Sequence, residues 1–457
     1  MKYRRCAGLS LAALLLSGGI GVAQAAQDLL ESYRLAVQSD PQLAAARWQR
    51  EAQRERIDQA RSLFLPDIGL EGEAARNDID YEAPATPERP AGSVSDRYTS
   101  TSYGVALTQP LFRAESFVVY RQAKTLVNQA DLQLGLAHQN LILRLVETYF
   151  AVLQAQNALE TFDAELQAIE QQLRRAQRAF EVGSGTITDV NDAQARYDIT
   201  VAQRVAAVNQ LQVARERLRR LTGARADELA DVANTFQPQT PAPEAPDAWA
   251  ELAEEKNLQV LLAASNLAFS REEVSRQRAQ RYPRVDLVAR YGKNSPAPSS
   301  FDEDSEATQG SVGVNLTVPL YTGGAISSQV SEAQYNRSAA LSQLEDAQRE
   351  AAITAESAFL ELQANVEQLR ALQQALKSIR LNEESTRRGM ELGLRTTLDV
   401  LDIQRERYAA ERDLAAARYN YLLNYIRLQA AVGRATDEEI IAQVNQYLVE
   451  EVPTSAE

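Results

Sequence analysis

The feature that most constrains this chain is an internal duplication, with an offset that stays near 210 residues. The segment 104–111 (GVALTQPL) returns as 313–320 (GVNLTVPL), and 182–190 (VGSGTITDV) returns as 392–400 (LGLRTTLDV). Self-similarity at a fixed offset means that one structural unit occurs twice. Each copy combines a strand pair with very long helices, so the fold is to be sought among structures that contain both.

Residues 1–25 have the three parts of a secretory signal peptide. Lys2, Arg4 and Arg5 give the positive region, an apolar core follows, and small residues at 23–25 (AQA) form a cleavage site. The apolar run is too short to cross a bilayer core of about 30 Å. We expect the leader to be removed and the protein to be exported from the cytoplasm.

Composition excludes several classes of function. The formal net charge is −14, which makes the chain a poor nucleic-acid binder. The only cysteine, Cys6, lies in the predicted leader, so the mature chain has neither disulfides nor thiolate metal ligands. Since no mature segment contains 18 consecutive apolar residues, we expect no transmembrane helix.

The two copies share the order helix, strand pair, long helix, short turn and helix. Pro66 and Pro283 stop the opening helices, and glycine-containing turns break the long helical stretches. The proline-rich stretch joins the copies, and we expect the acidic tail to lie on the outside. The first repeat is predicted at 26–223, with helices at 28–64, 112–182 and 186–222 and a hairpin at 67–110. The second repeat is predicted at 247–433, with helices at 247–281, 321–392 and 396–432 and a hairpin at 284–319. The linker between them covers 224–246, and the tail covers 434–457.

The long helices have the spacing of coiled coils. Apolar residues follow one another at gaps of three and four from Leu145 to Phe180, and the second copy repeats this from Leu362 to Ile379. A helix of about 71 residues would extend roughly 105 Å at 1.5 Å per residue. Two shorter helices in line would match that length. The helices alone fit an ordinary soluble coiled coil equally well.

The strands favour a membrane barrel. Val312, Val314, Leu316 and Val318 alternate with polar or small residues, which is typical of strands with one face in lipid and one facing a wet lumen. Four strands cannot close a barrel, and open sheet edges are not tolerated in lipid. Three chains would supply twelve strands. The sequence therefore predicts a mainly α-helical protein with a trimeric, twelve-stranded transmembrane β-barrel continued by a long periplasmic α-helical barrel.

The chain resembles the TolC family of outer-membrane channel-tunnels over the whole mature sequence. The segments that carry the resemblance are 392–402 (LGLRTTLDVLD), 417–422 (ARYNYL) and the first-copy counterpart 186–190 (TITDV). The resemblance implies a homotrimeric exit duct in the outer membrane that extends into the periplasm. It also implies two partners, a periplasmic adaptor protein and an inner-membrane transporter of the ABC, RND or MFS type. The cargo would be drugs, other small molecules or unfolded secreted proteins, through efflux or type I secretion.

The candidate site residues lie beside the two helix turns. Asp399 and Asp402 share a helix face, and the resemblance implies that they line the closed entrance as rings of carboxylates, which would hold protons above the usual pKa of about 3.9. It also implies that Arg395 is linked to Thr188 and Asp189. A local alternative is that both aspartates near the helix starts belong to capping boxes.

A departure from the family and two alternatives remain. Met390 stands where the family's archetype has a gating tyrosine, so the closed state would be held by fewer polar links or differently. His138 is the only histidine and has no catalytic partners in sequence, so we expect no enzyme activity, no cofactor and no metal. The alternatives are a periplasmic coiled-coil adaptor or scaffold, which would lack barrel strands, and a nutrient porin, which needs about 16 strands from one chain.

Overall fold

The structure is a computed structural model that describes residues 26–83, 85, 92–226, 228–233, 236–295, 307–436 and 438–449. The predicted signal peptide, the tips of both hairpins and residues 450–457 lie outside the described residues. The elements are α1 (Leu29–Ser39), α2 (Pro41–Ser62), β1 (Asp67–Ala83), β2 (Gly92–Arg113), α3 (Ala114–Glu181), α4 (Ile187–Thr222), β3 (Asp231–Val232), α5 (Pro246–Lys256), α6 (Leu258–Ala279), β4 (Arg284–Ser295), β5 (Ala307–Thr317), α7 (Ala325–Glu391), α8 (Thr397–Ala431), α9 (Glu438–Asn445) and β6 (Leu448–Val449).

Each opening helix is divided in two, where the sequence predicts a single helix. Asp40 has an extended backbone between α1 and α2, and its carboxylate accepts the N–H of Gln42 at 2.9 Å. Asn257 divides α5 from α6 in the same way and accepts the N–H of Gln259 at 2.8 Å. Both residue types are strong N-caps, and Pro41 lacks the N–H that a continuous helix would use. The helical period runs through both breaks, which is why periodicity alone does not show them.

Two antiparallel coiled coils form the long part of the molecule. The first coiled coil consists of α3 and α4, and the second of α7 and α8. The long helices α3 and α7 have 68 and 67 residues and thus extend about 100 Å. Each coiled coil turns back through a glycine with positive φ, Gly183 at 74° and Gly393 at 73°, a backbone conformation that favours glycine. We call these two turns the tip.

The four long strands form one antiparallel sheet in the order β1-β2-β4-β5. Pairing between β2 and β4 joins the two copies side by side, and β1 and β5 are the outer edges. Residues paired across the four strands form rows, and successive rows alternate between apolar and more polar side chains. Ile68, Leu107, Ala289 and Val312 lie in one row, and the adjacent row ends in Arg290 and Ser311. The sheet therefore has an apolar face and a more polar face, as the alternation in the sequence predicts.

The apolar face has no cover within the chain. Leu70 is 82% exposed and Val312 is 77% exposed, and at the foot of the sheet Leu320 and Tyr321 are 92% and 88% exposed. Such side chains at the junction between sheet and helices are suited to a membrane boundary. None of the helices in the described part of the chain combines the length and apolar character needed to cross a membrane.

The main core lies where the short elements wrap around the middle of the long helices. Trp249, Tyr149 and Phe359 are among its largest buried side chains. The beginning of the predicted outer tail belongs to this region. Helix α9 buries its apolar residues Ile440, Ile441 and Val444, and β6 pairs with β3 from the linker. The position of α9 differs from the expected one because its apolar residues lie on one helix face and can be covered by α1 and α8.

Candidate functional site

Two of the three predicted aspartates, Asp189 and Asp399, are held beside the tip turns by capping boxes. Thr186 accepts the N–H of Asp189 at 3.2 Å, and the Asp189 carboxylate accepts the N–H of Thr186 at 3.1 Å. Thr396 and Asp399 make the same pair of hydrogen bonds, at 3.2 and 2.8 Å. Each box satisfies two backbone N–H groups that the start of a helix would otherwise leave unpaired. The local alternative for these two aspartates is thus realised within one protomer.

The capping box also sets the charge of Asp399. Hydrogen bonds from the backbone and side chain of Thr396 lower the pKa of this carboxyl below its usual 3.8. This direction is opposite to the one expected for a ring of three carboxylates, in which mutual repulsion raises the pKa. Within one protomer, the Asp399 carboxyl is therefore ionised and negatively charged at neutral pH.

Asp402 is placed differently, because it faces an arginine of the other copy. Its carboxylate lies 2.5 Å from a guanidinium nitrogen of Arg196 on α4, and 3.9 Å from Arg405 on its own helix. Both Asp402 and Arg196 are half-buried. Sequence reasoning did not identify Arg196. The contact joins residues that are 206 positions apart in sequence, so a local sequence motif does not predict it.

The structure of one protomer does not bring the other predicted gate residues together. Arg395 packs against the last turn of α7, with its side chain next to Gly389, and its N–H donates to the Gly389 carbonyl at 3.3 Å. Thr188 is exposed in the first turn of α4. In the described part of a single chain, Arg395 makes no ion pair with Asp189, whose carboxylate is occupied by Thr186.

A cavity of about 650 Å³ opens between the two coiled coils just above the tip. Arg395, Asp399 and Asp402 all line it, so the structure gathers three of the five predicted site residues on one surface. Glu165 of α3 and Arg412 of α8 also line it, and their charged groups are 3.7 Å apart. Burial raises the pKa of the Glu165 carboxyl, and nearby arginines including Arg412 oppose that shift.

Met390 has a partner that the sequence did not indicate. The side-chain amide of Gln172, which is buried in α3, donates to the Met390 sulfur at 3.7 Å. A thioether is a weak acceptor, but this contact links α7 to α3 across the two copies. Where the family's archetype has a tyrosine, this chain has a polar contact of another kind.

No group of three or more histidine, cysteine, aspartate or glutamate residues suited to a metal occurs among the described residues. His138 is half-buried on α3, far along the helix from the tip. The chemistry that the tip offers is electrostatic, because it presents carboxylates and guanidinium groups around a water-accessible cavity.

The profile of the family described as "Outer membrane efflux protein" matches residues 32–224 and 249–434, which are nearly all of both copies. The chain belongs to this family of TolC-type outer-membrane efflux proteins. It is 33% identical to outer membrane protein TolC of Escherichia coli (strain K12), over 98% of this chain and 90% of that protein. It is 30% identical to the alkaline protease secretion protein AprF of Pseudomonas aeruginosa, over 91% of this chain and 86% of that protein.

Solved structures agree on the fold of this efflux-family protein. The CmeC outer membrane channel of Campylobacter jejuni is matched with a TM-score of 0.74 and 16% identity, over 97% of this chain and 98% of that one. VceC of Vibrio cholerae is matched with a TM-score of 0.71 and 19% identity, over 89% and 96%. The expected fold class is therefore confirmed, with membrane β-structure continued by a long α-helical barrel.

Membership in the family confirms the expected role. The protein is an outer-membrane exit duct for drugs or secreted proteins, extends into the periplasm and is a transport protein without enzyme activity. Its TolC-family relatives are trimeric channels that work with adaptors and inner-membrane transporters. The scaffold and porin alternatives fail, since the chain has both the barrel strands and the long helices.

Proposed function

We propose that three copies of this efflux-family protein form a closed duct whose periplasmic entrance is the tip. The observation that carries the proposal is the sheet order β1-β2-β4-β5, which leaves β1 and β5 as outer edges. The exposed apolar face of this sheet is suited to lipid, and lipid does not tolerate unpaired strand edges. Pairing β5 of one protomer with β1 of the next would close a barrel of twelve strands.

The same arrangement would make the tip an entrance gate. Three-fold symmetry converts each tip residue into a ring of three, and the Asp399 ring would present negative charge to the periplasm. Arg395 of one protomer would reach Thr188 and Asp189 of its neighbour, where the planar guanidinium can donate to both side chains. Two observations support this link. Among the described residues of its own chain, Arg395 makes no such contact, and both Arg395 and Thr188 are exposed.

The partners in this proposal are a periplasmic adaptor protein and an inner-membrane transporter of the ABC, RND or MFS type. Relatives named for protease secretion, such as AprF and PrtF of Dickeya chrysanthemi, match alongside the TolC proteins. The proposal therefore includes unfolded secreted proteins as well as drugs and other small molecules as cargo. The duct itself would be passive, with energy supplied by the transporter.

The test is Arg395→Ser in the full-length protein. We expect higher resting conductance in planar bilayers, because an exposed link worth about 0.2 to 1 kcal/mol is lost three times per duct. Chemical cross-linking of the same samples should still give trimers. Arg388→Ser is the matched control. Arg388 lies in the last turn of α7 and forms a local ion pair with Glu384 at 2.5 Å. A trimeric Arg395→Ser protein that conducts like the wild type would contradict the gate, and a monomeric wild-type protein would contradict the duct.

A further inference from the structure

Two arginines lie at the foot of the sheet, where α6 leads into β4. Arg278 is in the last turn of α6, Arg281 lies just beyond the helix end at Ala279, and both are exposed. The Arg281 guanidinium donates a hydrogen bond to the Ser327 hydroxyl of α7 at 3.3 Å. Neither arginine forms an ion pair within the described part of the chain. We call Arg278, Arg281 and Ser327 the arginine cluster.

Helix chemistry explains only part of this arrangement. A cation in the last turn of a helix interacts favourably with the helix dipole, which accounts for Arg278 but not for Arg281 beyond the helix end. The N–H of Arg281 donates to the Arg278 carbonyl at 3.1 Å, and like charges three residues apart on one turn repel each other. The acids Glu272 and Glu273 on the same helix already pair with other arginines. The arginine cluster therefore keeps a positive charge that an anion would balance.

The duplication shows which positions of the first copy are equivalent to the arginine cluster. An offset of 217 residues relates the prolines that follow the two opening helices, and an offset of 210 residues relates the two tip glycines. By these offsets Arg281 is equivalent to Phe64, and Ser327 is equivalent to Phe117. The structure agrees, because the rings of Phe64 and Phe117 are in contact with their centres 5.0 Å apart, as Arg281 and Ser327 are through a hydrogen bond.

Phe64 lies on the side of the molecule that carries the apolar sheet face. Gln109 is two residues beyond Leu107 on β2 and so shares its face, and its side-chain amide donates to the Phe64 carbonyl at 2.9 Å. The ring of Phe64 also packs edge-on against Tyr120, with the centres 6.4 Å apart. Aromatic residues at this level are typical of a membrane boundary. The equivalent arginine cluster therefore lies at the same boundary, on the lipid side.

The arginine cluster is close enough to the bilayer to meet lipid headgroups. Val285, which is paired with Leu316, belongs to the apolar face of β4 and follows four residues after Arg281. That separation is at most about 13 Å of extended chain. The headgroup region of a leaflet extends about 5 to 8 Å beyond the hydrocarbon. An arginine side chain can cover the remaining distance, because its apolar stem lies along the protein surface while its charged end reaches the headgroups.

We propose that Arg278, Arg281 and Ser327 bind the phosphate of an anionic glycerophospholipid in the periplasmic leaflet of the outer membrane. A planar guanidinium donates two parallel hydrogen bonds to phosphate oxygens, and the Ser327 hydroxyl, which accepts from Arg281, can donate its own proton to the same group. The chain as a whole carries a formal charge of −14, so positive charge at this boundary is a local feature that complements an anionic lipid surface. The site lies within one protomer and does not depend on the proposed trimer.

The test is native mass spectrometry of the detergent-purified full-length protein, titrated with dioleoylphosphatidylglycerol. We expect one tightly bound lipid per protomer in the wild type. Arg278→Gln combined with Arg281→Gln should weaken this binding about 30-fold, because each arginine near an anionic lipid headgroup contributes roughly fivefold. Arg281→Gln alone should weaken it about fivefold. This single change lies beyond the helix end and is exposed, so it leaves the fold intact.

Arg61→Gln is the matched control. Arg61 is the first-copy equivalent of Arg278, but it already pairs with Asp58 at 2.7 Å, so the variant should bind phosphatidylglycerol like the wild type. Equal affinity of the wild type and the double variant would overturn the inference. An equal loss in Arg61→Gln would overturn it as well, because it would indicate a general effect of surface charge. Displacement of the lipid by millimolar inorganic phosphate would show a site for a soluble anion instead of a lipid.

Discussion

At the scale of single residues, the tip carries two aspartates in different charge environments. Asp399 is held by its own helix start, and its pKa is lowered by hydrogen bonds from Thr396. Asp402 lies against Arg196, which offsets its negative charge. The sequence predicts two similar carboxylate rings. In the proposed trimer, the Asp399 ring would have no arginine paired with it within its own chain, and the Asp402 ring would be paired with Arg196.

This difference predicts unequal roles in cation block. Asp399→Asn should relieve most of the block by a multivalent cation added on the periplasmic side, and Asp402→Asn should relieve less. Asparagine keeps a hydrogen-bond acceptor, so the helix caps are disturbed little. Arg196→Gln should strengthen the block, because it uncovers the Asp402 charge. Single-channel recordings at several cation concentrations would measure all three.

The same block should depend on pH in a defined direction. A carboxyl with a lowered pKa stays ionised as the pH falls to its usual value, 3.8 for Asp399, and gains a proton only below it. Block through Asp399 should thus persist at about pH 4 and disappear at lower pH. If block instead vanishes well above pH 4, repulsion within the ring outweighs the hydrogen bonds of the cap.

At the scale of elements, strands and helices differ in how far the sequence predicts them. The sheet follows the sequence closely, because alternation with a period of two places side chains on opposite faces without help from other elements. The opening helices do not, because Asp40 and Asn257 break the backbone while the helical period continues. Their role as caps depends on an extended backbone that a pattern of apolar residues does not reveal.

The two faces of the sheet predict a matched pair of substitutions. Val312→Arg places a charge on the exposed apolar face, which costs about 2 to 4 kcal/mol near the middle of a bilayer and less toward its surfaces. Asn315→Arg puts the same side chain on the opposite face, beside Asp286 in the register. We expect Val312→Arg to reduce the yield of trimers in outer-membrane fractions and Asn315→Arg to leave it close to the wild type. Equal yields would mean that the apolar face does not contact lipid.

At the scale of the whole molecule, hydrogen bonds and an ion pair join the two ends of the described chain beside the long helices. Asn445, the last residue of α9, accepts the N–H of Leu29 at 3.1 Å and donates to the Asp28 carboxylate at 2.9 Å. Arg34 of α1 pairs with Glu438 at the start of α9. The residues after Gly433 therefore close the core and help to hold α1 in place.

This fastening predicts a loss of stability on Asn445→Ala. Removing a cap and a hydrogen bond should lower the free energy of unfolding by about 1 to 2 kcal/mol. Gln446→Ala is the control, because Gln446 is the next residue and is exposed. Thermal unfolding followed by circular dichroism would show a lower midpoint for Asn445→Ala alone. Equal midpoints for the two variants would show that the tail is not fastened through Asn445.

The sequence by itself determined the repeated unit, the alternating strands, the long helices and the two capping boxes. These features depend on residues close together in the chain, so a local pattern is enough to reveal them. Only the tertiary structure decided that Arg196 meets Asp402, that Gln172 meets Met390 and that α9 is part of the core. Those contacts join residues about 200 or more apart in sequence, so they depend on how the two coiled coils and the short helices pack against each other.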